Sequence, residues 1–339
     1  MLNLRSNQKN SMDNKIKTIA VLTSGGDSPG MNAAIRAVVR TCAYHGLQCQ
    51  GVFRGFQGLM EGDFKELGAR SVNNIINKGG TMLKSARSED FRSFEGRKKA
   101  FRKLQEANID ALVIIGGDGS FKGALALNSE FNLPVIAIPG TIDNDIFGTT
   151  HTIGYDTALN TVVDVIDKIR DTASSHNRLF FVEVMGRDAG HIALNAGIGA
   201  GAEEILIPEE NLGVERLLES LRRSKESGKS SSIVVISEGG KIGKTVFELK
   251  DYVEENLPEY EVRVSVLGHM QRGGAPSCFD RVLASRFGVK AVESLMAGKS
   301  NYMVGLCNDK IVLVPLSKAI KGSAAVDMEL LRVSDIMST

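Results

Sequence analysis

The chain lacks an excess of charge of either sign. Among its 339 residues, 41 lysines and arginines stand against 40 aspartates and glutamates, giving a net charge of +1. This balance provides no long-range field that would attract nucleic acid or an anionic membrane. We therefore expect neither as a partner, and any anionic ligand must be held by a local cluster of basic groups.

Long apolar segments and metal-binding spacings are also missing. The longest apolar stretches, such as residues 111–115, have the length of a strand rather than of a membrane helix. The first 18 residues are polar and lack the apolar segment of a signal peptide, so we expect a cytoplasmic protein. The four cysteines show no CxxC spacing, and the five histidines show neither HExxH nor HxH. These spacings disfavour a zinc site and a disulfide framework.

Short apolar segments alternate with segments of helical periodicity. The length of the chain is enough for two packed domains. The alternation predicts parallel sheets that are covered by crossover helices, because a parallel neighbour requires a long return connection. Strands are predicted over residues 19–22, 50–53, 111–115, 135–138, 179–184, 204–207, 233–236, 262–266 and 303–306.

Glycine-rich turns follow several of these strands, at the end of the strand where ligands bind in such sheets. The turn at 24–30 can point backbone N–H groups at an anion beside a helix N-terminus; a tight turn without a ligand is the alternative. The turn at 116–120 carries Asp118 among three glycines, ahead of a helix predicted to open at Phe121. Asp118 can meet a hydrated Mg²⁺, although a simple capping role remains open.

The turn at 139–145 carries two carboxylates, Asp143 and Asp145, directly after an apolar strand. One could act as a general base and the other as a partner of the metal ion. Phosphoryl transfer also requires basic groups that stabilise charge. Candidate cations are Arg87, Arg178, Arg187, Arg263 and Arg272.

Six motifs in this order resemble those of the ATP-dependent 6-phosphofructokinases of the bacterial type, over residues 19 to 308. They are TSGGDSPGMNAA at 23–34, GGTMLKSAR at 79–87, IGGDGS at 115–120, PGTIDND at 139–145, EVMGRDAG at 183–190 and LGHMQRGG at 267–274. The resemblance implies an α/β fold of two Rossmann-like, three-layer α/β/α lobes with mostly parallel sheets and an active site in the cleft between them. The larger, ATP-binding lobe would comprise residues 1–153 and about 271–320. The smaller, fructose 6-phosphate-binding lobe would comprise residues 154–270 and about 321–339.

The resemblance also implies the donor site and the catalytic groups. Asp143 would be the general base, assisted by Thr141, Arg187, Gly26 and Arg87. Mg²⁺ would be held by Asp118 with support from Asp145. ATP would be bound by Gly26, Arg87, Ser88, Gly117, Asp118, Gly119 and Ser120.

Fructose 6-phosphate would be bound by groups from two subunits of a homotetramer. Arg178 and Arg263 would reach across from the neighbouring subunit, and arginine suits this task because its planar donors grip phosphate in pairs. The substrate-binding residues would be Thr141, Ile142, Asp143, Arg178, Met185, Gly186, Arg187, Glu238, Arg263, His269, Met270, Gln271 and Arg272.

Departures from the family pattern concern the effector pocket, where relatives bind ADP or phosphoenolpyruvate. Matching effector positions are Arg36, Arg40, Arg170, Glu203 and Lys229. Ala69 stands where a relative has arginine, and Ser227, Ser230 and Ser231 replace lysine or histidine. Fewer cations attract a polyanion less strongly, so we expect altered or weakened effector control.

Three alternatives remain open. Pyrophosphate-dependent relatives tend to carry aspartate and lysine at the positions of Gly119 and Gly140, and glycine at both favours ATP. An NAD kinase or a lipid kinase would also use a GGDG turn, but neither explains the motifs at 139–145 and 267–274. A non-catalytic sensor or regulatory subunit is disfavoured because Asp118, Asp143 and Asp145 are all present.

Overall fold

The computed structural model describes residues 16–174, 178–210, 214–227, 232–239 and 243–337. Strands and helices alternate through most of this part of the chain, with two short 3₁₀ helices at Asp90–Arg92 and Gly268–Arg272. In chain order the elements are β1 (Thr18–Thr23), α1 (Met31–Tyr44), β2 (Gln48–Val52), α2 (Gly55–Glu61), β3 (Phe64–Glu66), α3 (Phe94–Glu106), β4 (Ala111–Gly116), α4 (Asp118–Phe131), β5 (Val135–Pro139), α5 (Tyr155–Ser174), β6 (Leu179–Val184), α6 (His191–Gly199), β7 (Glu204–Leu206), α7 (Val214–Glu226), β8 (Ser232–Ser237), α8 (Val246–Asn256), β9 (Val262–Val266), α9 (Cys278–Met296), β10 (Tyr302–Cys307), β11 (Lys310–Pro315), α10 (Leu316–Ala319) and α11 (Met328–Met337).

The strands form two separate sheets. The larger sheet has the order β11-β10-β5-β4-β1-β2-β3, and its five central strands are parallel. The edge strands β3 and β11 are antiparallel to their neighbours. The smaller sheet has the order β7-β8-β6-β9 and is parallel throughout. Both sheets thus follow from the predicted alternation of strand and helix.

Side chains alternate between the two faces of each sheet and fill a core on each face. In β1, Ile19 and Val21 enter one core while Ala20 and Leu22 enter the other. In β6 of the smaller sheet, Phe180 enters one core and Phe181 enters the other. Strands that are buried on both faces have continuous apolar sequences, which is why short apolar runs identified them.

The predicted α/β fold class is confirmed, and all nine predicted strands are present with bounds that differ by at most two residues. The strands β3 and β11 were not predicted from the sequence. β3 has only three residues and lies at an edge, so it shows no buried apolar pattern. β11 follows β10 through a tight turn in which Asn308 and Asp309 have φ values of 47° and 61°.

One predicted helix boundary was wrong. α4 begins at Asp118 rather than at Phe121, with Gly117 as the capping residue. Asp118 is therefore the first helical residue, at the positive end of the helix dipole. Among the described residues, no helix is both long enough and apolar enough to span a membrane.

Candidate active site

Three of the glycine-rich turns meet at the carboxyl ends of β1, β4 and β5. The Ser24 N–H donates to the Ile115 carbonyl at 3.0 Å, and the Gly140 N–H donates to the Gly116 carbonyl at 3.0 Å. A Cβ atom added at Gly117 would lie 3.9 Å from the Thr141 Cβ. Neighbouring parallel strands end at one edge of the sheet, so the turns that follow them form a single site.

One carboxylate of these turns, Asp145, is affected by the other two. Burial raises the pKa of Asp145, and repulsion from Asp143 and, more weakly, from Asp118 raises it further. The positive charge of Arg187 opposes this increase. The structure thus brings Asp118, Asp143, Asp145 and Arg187 into one electrostatic neighbourhood, although Arg187 comes from the turn after β6.

Asp143 is a buried carboxylate with an oxygen atom that can accept a hydrogen bond from a ligand. Its side chain is buried, and its Oδ1 atom has no hydrogen-bond partner within the described part of the chain. The Arg272 Nη2 atom lies 3.9 Å from this oxygen, and Arg272 Nη1 donates to the Asp27 carbonyl at 3.3 Å. Arg272 therefore links the turn at 24–30 to the turn that carries Asp143.

The loop that carries Asp143 is held by two residues that sequence reasoning missed, Asn144 and Thr152. The Asn144 Oδ1 atom accepts from the Thr152 N–H at 2.9 Å, and the Thr152 hydroxyl donates to the Thr141 carbonyl at 2.6 Å. Asn144 has a φ of 53°, a conformation that asparagine tolerates better than most residues. The only local signal was this tolerance, which indicates a turn at Asn144 but not its hydrogen bond with Thr152.

The carboxylates suit a magnesium ion that arrives with phosphate. Among the described residues there is no group of three or more side chains able to hold a metal ion by themselves. Mg²⁺ is usually bound through one or two carboxylates plus phosphates and water, which matches Asp118 and Asp145. The Lys122 Nζ atom lies 2.6 Å from Asp118 Oδ2, one helical turn further along α4.

The candidate ATP-binding residues differ in their surroundings and in their exposure. A Cβ atom at Gly26 would lie 2.8 Å from Arg272 Nη1, whereas one at Gly119 would meet nothing within 4 Å. Ser120 is buried, and Arg87 is exposed. Ser88 serves the local fold, because its hydroxyl donates to Gln57 at 2.9 Å.

The turns of the smaller sheet carry most candidate sugar-phosphate residues. The Arg187 N–H donates to Glu238 Oε1 at 2.9 Å, so the turns after β6 and β8 are in contact. Gln271 is fully buried, and its Oε1 atom accepts from the Met185 N–H at 3.2 Å. Met270 is exposed beside it. His269 is exposed, Gly186 has a φ of 148°, and Ile142 is fully buried.

Arg178 and Arg263 lie at the other end of the smaller sheet. Arg178 directly precedes β6, and its Nε atom lies 3.1 Å from Glu261, to which Arg263 also binds. A strand of six residues spans about 20 Å. Within one chain, the two arginines are therefore separated from the turn that follows β6.

The candidate effector residues fall into two groups. Arg36 and Arg40 lie on α1, which packs against the larger sheet, and Arg40 donates to Asn73 at 3.1 Å. Arg170 lies 3.6 Å from Glu203 and donates to the carbonyls of Ala200 and Gly201. Lys229, Ser230 and Ser231 lie outside the described residues.

Fold and turns together define an α/β protein of two sheets in which glycine-rich turns meet beside a buried carboxylate. The family model described as Phosphofructokinase matches residues 18–295, and the chain belongs to this family. It is 52% identical to ATP-dependent 6-phosphofructokinase 2 of Bacteroides thetaiotaomicron, across 94% of this chain and 97% of that protein. It is 51% identical to ATP-dependent 6-phosphofructokinase 1 of Thermus thermophilus, across 95% of this chain and 100% of that protein. The phosphofructokinase structure from Saccharomyces cerevisiae matches with a TM-score of 0.81 and 37% identity, across 90% of this chain and 45% of the yeast chain.

Proposed function

We propose that this chain transfers the γ-phosphoryl group of ATP to the 1-hydroxyl of fructose 6-phosphate, as a 6-phosphofructokinase of glycolysis. The observation that carries the proposal is the buried Asp143, whose Oδ1 atom lacks a partner among the described residues and lies beside the glycine-rich turns. A buried polar atom without a hydrogen bond is unfavourable, and a substrate hydroxyl would satisfy it. The relatives at about 50% identity support the choice of ATP and of fructose 6-phosphate.

In this proposal Asp143 accepts the proton of the 1-hydroxyl as the oxygen attacks the γ-phosphorus. The bond from the γ-phosphorus to the bridging oxygen breaks, and ADP is the leaving group. A general base contributes about 10²- to 10⁴-fold in rate. Thr141, Arg187, Gly26 and Arg87 would assist at the transferring group. Arg272, 3.9 Å from Asp143, would bind fructose 6-phosphate. The remaining acceleration comes from alignment and charge stabilisation.

Mg²⁺ would be held by Asp118, with Asp145 in support. Bound Mg²⁺ supplies neutralising charge to the phosphate oxygens. Because Lys122 pairs with Asp118 at 2.6 Å, this lysine would have to release the carboxylate when the metal and nucleotide bind. Gly26, Gly117 and Gly119 would leave the backbone open to the phosphates.

ATP is favoured over pyrophosphate as the donor by the space at Gly119. A side chain there would enter open space, where the nucleotide would lie in this proposal. An aspartate would both fill this space and repel the α-phosphate. Gly140 is surrounded instead, with Ile115 and Met31 at 3.1 Å and 3.3 Å from an added Cβ.

The proposal also includes a homotetramer whose subunits share sites, and a division of each chain into two lobes. Since Arg178 and Arg263 lie far from the turn after β6, a complete sugar-phosphate site would take them from a neighbouring chain of a homotetramer. Residues 1–153 and about 271–320 would form the ATP-binding lobe, and the rest the smaller lobe. Two further inferences from the sequence stay predictions: a cytoplasmic location, and altered or weakened control by ADP or phosphoenolpyruvate at Arg36, Arg40, Arg170, Glu203 and Lys229.

A comparison of donors tests the proposed function. The protein is incubated with Mg²⁺, fructose 6-phosphate and either ATP or pyrophosphate, and fructose 1,6-bisphosphate is measured through coupled aldolase cleavage. We expect product when ATP is the donor and none when pyrophosphate is the donor. Gly119→Asp should lose turnover with ATP, whereas Gly119→Ala should retain most of it and so separate charge from size. Product with pyrophosphate but not with ATP would contradict the assignment of ATP as the donor. No product with either donor would contradict the proposed function.

A further inference from the structure

Asp280 is a buried carboxylate that the proposed chemistry does not use. It lies in the first turn of α9 and is 0% exposed. It accepts hydrogen bonds from the Gly154 N–H at 2.8 Å, the Thr157 N–H at 2.9 Å and the Thr157 hydroxyl at 2.5 Å. Burial raises the pKa of Asp280 to about 6, so the group is mostly ionised at neutral pH. Burying a carboxylate is unfavourable unless it is hydrogen-bonded, and all three of these donors to Asp280 come from residues 154 and 157, far from it in the sequence.

Asp280 holds one end of a three-residue segment, 152–154, which we call the strap. The strap lies along the loop that carries Asp143. Thr152 binds Thr141 and Asn144, as described above, and the Ile153 N–H donates to the Pro139 carbonyl at 2.9 Å. The next N–H along the chain, that of Gly154, donates to Asp280. Three successive residues thus join the Asp143 loop to a single buried carboxylate.

This contact also connects one core of the larger sheet with one core of the smaller sheet. Leu283 and Phe287 of α9 pack in a core of the larger sheet, whereas Ala158 and Val162 of α5 pack in a core of the smaller one. Asp280 accepts from donors at the N-terminal turn of α5, where a negative charge is favoured by the helix dipole. The start of α5, and the strap with it, is therefore fixed relative to the larger sheet.

We propose that Asp280 is a positioning residue for Asp143, acting through the hydrogen bonds that hold the strap 152–154 against the loop 139–145. The inference rests on the proposed function, because it assigns the strap a role in orienting the base. Misplacing a reacting group by about 1 Å can lower the rate on the order of 10²-fold. The role therefore predicts a loss in kcat rather than in substrate affinity.

A double-mutant cycle separates positioning from general stability. We expect Asp280→Asn to lower kcat by about 10- to 100-fold, with KM for ATP and fructose 6-phosphate changed less than about threefold. In an Asp143→Ser background the same change should alter kcat by less than about twofold, because no base remains to be positioned. Asp110→Asn is the matched control. Asp110 accepts hydrogen bonds from the backbone N–H groups of Lys17 and Thr18, at the opposite end of β1. The kcat of the Asp110→Asn variant should be normal.

Equal losses from Asp280→Asn in both backgrounds, or an unchanged kcat, would overturn the inference. If Asp280→Asn does not fold, Thr152→Val serves instead. It deletes the hydroxyl that donates to the Thr141 carbonyl and to Asn144 Oδ1, and so loosens the strap at the end away from Asp280. Its kcat should fall in the wild-type background and not in the Asp143→Ser background, and a normal kcat would also overturn the inference. An inactive wild-type protein would refute the proposed function itself.

Discussion

At the scale of single residues, Asp143 is the most informative position, because its buried oxygen has no partner among the described residues. We expect Asp143→Ser to lower kcat by about 10²- to 10⁴-fold, since the base acts in the transition state. Binding of fructose 6-phosphate should stay within about tenfold of the wild type. Initial rates and equilibrium binding of the sugar phosphate measure the two quantities. Near-normal turnover would contradict the assignment of the base.

Gly26 tests the contact between the first turn and Arg272. An alanine there would place its Cβ 2.8 Å from Arg272 Nη1, the end of a flexible side chain, so the arginine should move while the fold persists. The guanidinium would leave its position 3.9 Å from Asp143. Loss of its proposed hydrogen bond to the charged phosphate of the substrate would cost about 1.5–3 kcal/mol. We expect kcat/KM for fructose 6-phosphate to fall by about tenfold or more.

Gly68→Ala is the matched control for Gly26→Ala. Gly68 has open space around the added Cβ, and it lies in an exposed segment between β3 and α3. Both variants should melt close to the wild type. If Gly26→Ala shows full kcat/KM, Arg272 does not act on the substrate from its present position.

At the scale of elements, the sequence was most informative where a strand is buried on both faces. The apolar runs of β4 and β5 predicted both strands and the turns that follow them, because buried parallel strands show continuous apolar sequence. Asn144 and Thr152 could not be predicted to hold the Asp143 loop. Their hydrogen bonds join segments through tertiary contacts that no local pattern shows.

The β10–β11 hairpin was missed because its turn carries Asn-Asp instead of Asn-Gly. Both Asn308 and Asp309 have positive φ, as in a type I′ turn, for which Asn-Gly is preferred. We expect Asp309→Gly to stabilise the hairpin by about 0.5–1 kcal/mol, because glycine adopts this conformation without strain. Thermal unfolding measures the effect. Asp309→Ala should be destabilising, and a lower melting temperature for Asp309→Gly would show that the aspartate side chain contributes more than the strain it carries.

At the scale of the whole molecule, the proposed sugar-phosphate site would be incomplete within one chain. The motifs predicted that Arg178 and Arg263 act on the sugar phosphate, and the structure places both beside Glu261 at the far end of the smaller sheet. A sequence motif carries no information on which copy of the chain supplies a residue. The separation along β6 is what makes sharing between subunits a testable geometric proposal.

Hybrid oligomers test this sharing. Asp143→Ser and Arg263→Ala should each be nearly inactive alone, yet a mixed oligomer would contain sites that take an intact Asp143 from one chain and an intact Arg263 from the other. With random mixing of equal amounts, symmetry predicts recovery of up to about a quarter of the wild-type activity. Co-expression with two affinity tags, followed by rate measurements on the doubly purified oligomer, measures the recovery. If each arginine instead serves the site of its own chain, every site in the hybrid remains defective, and activity would stay at the level of the parents.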